Sequence, residues 1–263
     1  MKALARSVLS RLSPRTLAAV TAARARAHSQ RLVKSWGLTA INRTLIHSVG
    51  STIQSGPFQG LRLPEMAHAE HVGPYLLGTY ELELHPWWND LLSRDFDLIV
   101  DVGAQFGYYA VGLARRYPRA SVVAFDTDWW ARRATARTAA ANGVTNVVIR
   151  SYCTPGWLAA HVRPRSLILS DCEGFERELF RGDAIPSLKT AAIVIELHED
   201  VVPGVTEAIL ETFRTTHRCS LVASRSATHV SLQVEGLTPS EINRAAAEVR
   251  SPQQWIYLDP TRP

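Results

Sequence analysis

Apolar positions in this chain gather into short runs that end in a polar residue or a glycine. Leu98 to Val102, broken only by Asp101, is partly β-branched and reads as a strand buried on both faces. Ser121–Asp126, Asn146–Ser151, Ser166–Asp171 and Ala191–His198 repeat that character. Helical spacing fills the gaps: Tyr109, Val111, Leu113 and Ala114 run up to Tyr117-Pro118, and Trp129 to Asn142 closes on Asn142-Gly143 as a C-cap. Glu176–Arg181 and Val205–Thr215 read as further helices, and Leu158 begins a short covering segment. Strands alternating with helices predict a parallel sheet covered on both faces. Nearer the end, His217 is placed in a turn before a strand Ser220–Ser224, and Val230–Val234 as a hairpin arm. A helix Pro239–Val249, capped by Thr238 or Ser240, leads to a closing strand Gln254–Leu258. Upstream, Thr79 to Leu92 is helical in spacing with Pro86 interrupting, and residues 51–78, rich in Gly, Pro and Ser, read as a loop or short hairpin. Residues 1–50 are Ala/Arg/Leu-rich and helical in pieces.

Charge divides this pattern in two. Net charge is +5 over 263 residues, but no acid precedes Glu65, whereas Lys2, Arg6, Arg11 and seven further basic residues do. The basicity belongs to the N-terminal extension, expected over 1–50, followed by a lead-in over 51–95 and a main domain over 96–263. Such an arm suits a peripheral contact with an acidic surface. With Trp36 as its one aromatic residue it lacks the interleaving of a nucleic-acid binder, so no nucleic acid is expected. It also has the acid-free, Ser-containing character of an organellar presequence, the less favoured reading. A hydrophobic content of 46% and a charged content of 20% are those of a globular protein. The three cysteines show no C-x-x-C spacing, which suggests reduced thiols and a cytoplasmic location.

The chemistry begins where the first strand ends. Gly103 allows a sharp turn and close approach of a ligand, and Gly107 lets the next helix start near the strand. The spacing is G-x-x-x-G, not the dinucleotide fingerprint G-x-G-x-x-G. Asp101-x-Gly103-x-x-x-Gly107 resembles motif I of class I S-adenosylmethionine (SAM) methyltransferases, and the run Asp101-Val-Gly-Ala-Gln-Phe-Gly-Tyr-Tyr109 is most similar to the FkbM-type branch. Gln105 stands where that motif usually has its central glycine. Asp171-Cys-Glu-Gly-Phe-Glu176 after the fourth strand resembles a second FkbM-type motif, and the likeness covers roughly residues 78 to 260.

The resemblance implies a Rossmann-like methyltransferase fold, a mostly parallel seven-stranded α/β sheet with an antiparallel last strand and helices on both faces. It implies SAM as cofactor and methylation of a hydroxyl on a small molecule, sugar or natural product. Asp101, Gly103, Ala104, Gln105, Gly107 and Tyr108 would cradle SAM. Asp126, at a strand end about twenty residues past the glycine turn, offers two oxygens to the ribose hydroxyls, with Asp128 as its rival. Cys153 falls by position at the adenine pocket, a buried structural thiol being the alternative. Tyr80 and Glu81 either pack over the cofactor or belong to a simple packing helix. Asp171 and Glu173 would lie beside the reactive methyl. Glu196 and His198, two apart, share one side of their strand. His198 is favoured as general base, with Asp171 orienting the substrate or the SAM amino group. No metal is expected, because a His and two carboxylates suit Mg²⁺ poorly. Two other classes stay open: an NAD(P)-binding oxidoreductase, and a non-catalytic scaffold on the same fold.

Overall fold

The computed structural model describes residues 34–64, 71–227, 229–248 and 252–261. Its sheet is built from β1 (Leu98–Val102), β2 (Ser121–Phe125), β3 (Val147–Arg150), β4 (Ser166–Ser170), β5 (Ala192–Leu197), β6 (His217–Ala223) and β7 (Gln254–Pro260). The order is β3-β2-β1-β4-β5-β7-β6. Strands β1 to β5 pair in parallel, and β7 runs antiparallel between β5 and β6. This is the Rossmann-like, mostly parallel seven-stranded sheet that the resemblance implied, and the alternation of runs and helices marked its parallel part. The chain leaves β1 toward β2 and later returns to β4 on its other side. That reversal opens a crevice at the carboxyl ends of β1 and β4, where α/β sheets bind ligands.

The helices, in chain order, are α1 (Leu38–Val49), α2 (Val72–Leu77), α3 (His85–Leu91), α4 (Tyr108–Arg116), α5 (Trp129–Ala141), α6 (Pro155–His161), α7 (Glu176–Leu179), α8 (Ile185–Leu188), α9 (Val205–Phe213) and α10 (Pro239–Ala246). Alternation along the strands divides the core between the two faces. Ile99, Leu167, Leu169, Ala192 and Val194 pack with residues of α1 to α5 and α10. Val100, Val102, Ile168, Ile193 and Ile195 pack with α6 to α9.

Five expectations change, one of them the loop expected over 51–78, where Val72–Leu77 forms α2. The extension does not run to residue 50: Leu38, Ile41 and Leu45 are buried in the core, so α1 belongs to the body, and the remaining arm, residues 1–33, lies outside the described residues. Thr79–Leu92 is not one helix. Thr79 to Glu81 precede a 3₁₀ turn at Leu82–Leu84, and α3 starts at His85 with Pro86 in its first turn, where proline fits because that N–H needs no partner. His217 opens β6 instead of sitting in a turn; its Nε2 lies 3.0 Å from the Ala191 carbonyl, and pairing with β7 continues to Pro260. Val230–Val234 is irregular, with Val234 buried in the core. The cap of α10 is Thr238, in a capping box with Glu241. No helix among the described residues is long and apolar enough to cross a membrane.

Candidate active site

Strand β1 ends at Gly103, whose φ is +90°. A Cβ there would lie 1.7 Å from the Asp171 carbonyl oxygen, so glycine alone lets the ends of β1 and β4 approach this closely. The Gly103 and Ala104 N–H groups both donate to Phe125 O, at 2.8 and 3.0 Å, and tie the turn to the end of β2. Gln105 follows at φ +46°, in the left-handed region that its motif position usually gives to glycine. Two contacts hold it there: its N–H donates to Asp126 Oδ2 at 2.8 Å, and its carbonyl accepts from Thr135 Oγ1 at 2.9 Å. Asp126 Oδ1 accepts the Asp128 N–H at 2.8 Å, so this carboxylate braces the loop while burial pushes its pKa up. Asp128 turns away to cap α5, accepting from Trp130 N–H at 2.9 Å, which leaves Asp126 as the acid at the strand end. Gly107 backs onto α5, where a Cβ would meet Thr135 at 3.0 Å.

The acids of the site share one face of the sheet. Asp101 follows Ile99 by two, Asp171 follows Leu169, and Glu196 follows Val194, all three apolar residues belonging to the same core face. Asp101 is 2% exposed and its Oδ2 makes no hydrogen bond. Burial raises its pKa to about 7, against a lowering hydrogen bond from the Ala110 backbone. Asp171 Oδ1 is also buried without a hydrogen bond, and burial together with Glu173 raises this pKa to about 6. Both carboxyls line a narrow cleft together with Gly103, Ala104 and Leu169. Aromatic rings form its other wall. Tyr75 and Tyr80 stack at 3.9 Å between centroids, and Phe106 and Tyr108 meet Tyr75 edge-on at 5.2 and 5.3 Å.

His198 stands just past β5. Its Nδ1 donates to Glu176 Oε1 at 2.6 Å, and its Nε2 lies 3.6 Å from both Asp171 Oδ1 and Glu173 Oε2. Glu176 is fully buried at the start of α7 and also accepts the Gly174 N–H at 3.1 Å. Burial alone would lower the imidazole pKa. The hydrogen-bonded Glu176, then Asp171 and Glu173, outweigh burial and raise it to about 9. The carboxylates around it thus favour the protonated ring, and a role as base requires that proton to leave first.

The structure thus brings Asp101, Gly103, Ala104, Gln105, Tyr108 and Asp171 to one cleft. Asp126 braces its floor, and Glu173 and His198 stand beside Asp171. Cys153 is elsewhere: 3% exposed, it packs with Phe125, Leu158 and Val162 beneath α6, and burial pushes its thiol up to about 12. Tyr80 lines the cleft, whereas Glu81, at φ +47°, is buried and accepts the Tyr109 hydroxyl. The sequence reading missed two acids. Glu176 is the partner of His198, and Glu196 is hydrogen-bonded to Asp171. The two-residue spacing of Glu196 and His198 was the visible signal for the second; the first closes the motif Asp171–Glu176, but nothing local marks it as the partner of His198.

No protein-family model and no curated protein sequence matches this chain. Among solved structures it is similar to precorrin-6y C5,15-methyltransferase from Geobacter metallireducens, with 14% identity, 64% of this chain and 82% of the other covered, and a TM-score of 0.45. It is also similar to precorrin 8w decarboxylase from Methanobacterium thermoautotrophicum, at 18% identity, 71% and 91% coverage, and a TM-score of 0.48. A third is an O-methyltransferase from Streptomyces achromogenes in complex with SAM, at 14% identity, 66% and 80% coverage, and a TM-score of 0.43.

Proposed function

We propose that this chain is a SAM-dependent methyltransferase of the FkbM type that methylates a hydroxyl group of a small molecule, such as a sugar or natural product, in the cytoplasm. One observation carries the cofactor assignment. The cleft at the β1–β4 reversal is lined by Asp101 and Asp171, each with a buried oxygen that makes no hydrogen bond, and by no Lys or Arg among the described residues. Such a wall favours a ligand that brings positive charge and N–H donors. SAM carries an ammonium and a sulfonium. A dinucleotide would instead press a pyrophosphate against these carboxylates with no cation to receive it, so the NAD(P) reading is disfavoured.

The strand-end residues then divide the work. Gly103 and Ala104 let the ligand lie against backbone, and Asp126 offers the lone pairs not used by Gln105 and Asp128 to the ribose hydroxyls. Bound SAM supplies an electrophilic methyl: its sulfur–carbon bond breaks as an oxygen–carbon bond forms, leaving S-adenosylhomocysteine and a methyl ether. The acceptor must be held in line with that bond and must lose its proton. Asp171 and Glu173 stand at the cleft edge as the carboxylates toward which the proton departs. The hydroxyl preference rests on the two motifs, Asp101–Tyr109 and Asp171–Glu176.

Calorimetric titrations of SAM, S-adenosylhomocysteine and NAD⁺ into the full chain test this. One SAM and one S-adenosylhomocysteine per chain, with no heat from NAD⁺, are expected. Binding of NAD⁺ in place of SAM would overturn the reading.

A further inference from the structure

Asp171 is flanked by three side chains to which the cofactor reading gives no contact: His198, Glu196 and Glu173. His198 is 8% exposed, and its Nε2 points between Asp171 Oδ1 and Glu173 Oε2, 3.6 Å from each. Charge-assisted N–H···O bonds are roughly 2.7–2.9 Å long, so neither contact is one. Two donor atoms sharing one ion at about 2.1 Å, with an angle near 120° at the ion, do lie about 3.6 Å apart. Glu196, 2% exposed and two residues before His198, supplies a further carboxylate. One atom each from Asp171, Glu196 and His198 lie within 4.8 Å of one another, so closing around an ion requires side-chain shifts of up to about 1 Å.

The surroundings fit the same purpose. Glu176 accepts from His198 Nδ1 at 2.6 Å, which fixes the ring so that Nε2 faces the carboxylates. A carboxylate behind a histidine is the usual outer support of a metal-bound imidazole. Asp171 and Glu196 are hydrogen-bonded to each other, and two carboxylates sharing so enclosed a space favour a cation between them. Glu173 sits at φ +54°, a strained backbone for a glutamate, with its side chain 77% exposed beside the ring.

We infer that Asp171, Glu196 and His198, with Glu173 at the mouth, bind one divalent first-row transition-metal ion. The donor set of carboxylate oxygens plus one imidazole suits Mn²⁺, Fe²⁺ or Zn²⁺ better than an all-oxygen ion such as Mg²⁺. The binding stands apart from the methyltransferase reading. Its use rests on that reading: an ion here would acidify an acceptor hydroxyl bound to it. This reverses the metal-free site read from the sequence, which counted Asp171 and Glu173 but left out Glu196.

The test is Mn²⁺ titration of the EDTA-stripped full chain, followed by electron paramagnetic resonance, with Zn²⁺ and Mg²⁺ as competitors. One Mn²⁺ per chain is expected, displaced by Zn²⁺ more readily than by Mg²⁺. His198→Ala and Glu173→Gln should each weaken it about tenfold or more, and Glu176→Gln, which touches no ion, roughly ten- to a hundredfold. Glu173 is exposed, so that variant remains informative if His198→Ala fails to fold. Absence of stoichiometric Mn²⁺ or Zn²⁺ binding, or binding unchanged in the folded variants, would overturn the inference. SAM calorimetry on the same stripped chain separates the two claims: SAM binding without ion binding removes only the metal site, and ion binding without SAM binding removes only the methyltransferase reading.

Discussion

Gln105 shows how one residue can carry a motif's geometry without its usual chemistry. Its backbone is left-handed at φ +46° although it has a Cβ. The cost of such a conformation is about 1–2 kcal/mol, and the contacts to Asp126 and Thr135 offset it. Both contacts use Gln105 backbone atoms, and its side chain is exposed, so replacing it with glycine keeps them while removing the strain. Gln105→Gly should raise stability in urea unfolding by roughly 1 kcal/mol, less the entropy that glycine adds to the unfolded chain. A clear loss of stability would show that the side chain itself holds the turn. Glu81, Glu173 and Arg165 share the left-handed backbone; Glu81 follows the cleft residue Tyr80, Glu173 follows Asp171 by two, and Arg165 lies away from the cleft, paired with Asp97.

At the scale of elements, α1 matters most for what the chain can lose. Leu38, Ile41 and Leu45 form the 3- and 4-spaced stripe that faces α2 and α10, and Leu45 is fully buried. Leu45→Ala should cost about 2–5 kcal/mol in urea unfolding; a cost below about 1 kcal/mol would mean that α1 is only loosely docked. The strands and the glycine turn were legible because their signals are local: a buried run, a break, a helical period. Helix α1 was read as helical but as part of the extension, because its three apolar anchors follow an arginine-rich stretch and its partner α10 lies some two hundred residues away. Helix α2 was hidden, since the Gly and Pro of residues 71–78 read as a loop while Val72, Leu76 and Leu77 are in fact buried. The site was legible along each strand and illegible across strands. Asp101, Asp126 and Asp171 were found at strand ends. The pairing of His198 with Glu176 and of Asp171 with Glu196 depends on how a helix start and a neighbouring strand converge. Cys153 was assigned by the order of elements alone, and the packing of Leu158 and Val162 draws it into the core instead.

For the molecule as a whole, the sheet reversal between β1 and β4 sets Asp101 and Asp171 in the cleft lining, with Asp126 and Glu196 bonded to that lining and no Lys or Arg in it among the described residues. On the proposed reading this wall selects its ligand by charge, and the account stands or falls on whether that ligand is SAM. Asp126 is the residue on which to test it, because its two oxygens bond the loop and still have lone pairs for ribose hydroxyls. The measurement is calorimetric titration of SAM into the wild-type chain and into Asp126→Ala, with circular dichroism to show that the variant is folded. Loss of a charge-assisted contact is worth about 1.5–3 kcal/mol, so the variant should bind SAM roughly ten- to a hundredfold more weakly. No SAM binding by the wild-type chain, or equal affinity in a folded Asp126→Ala variant, would contradict the account.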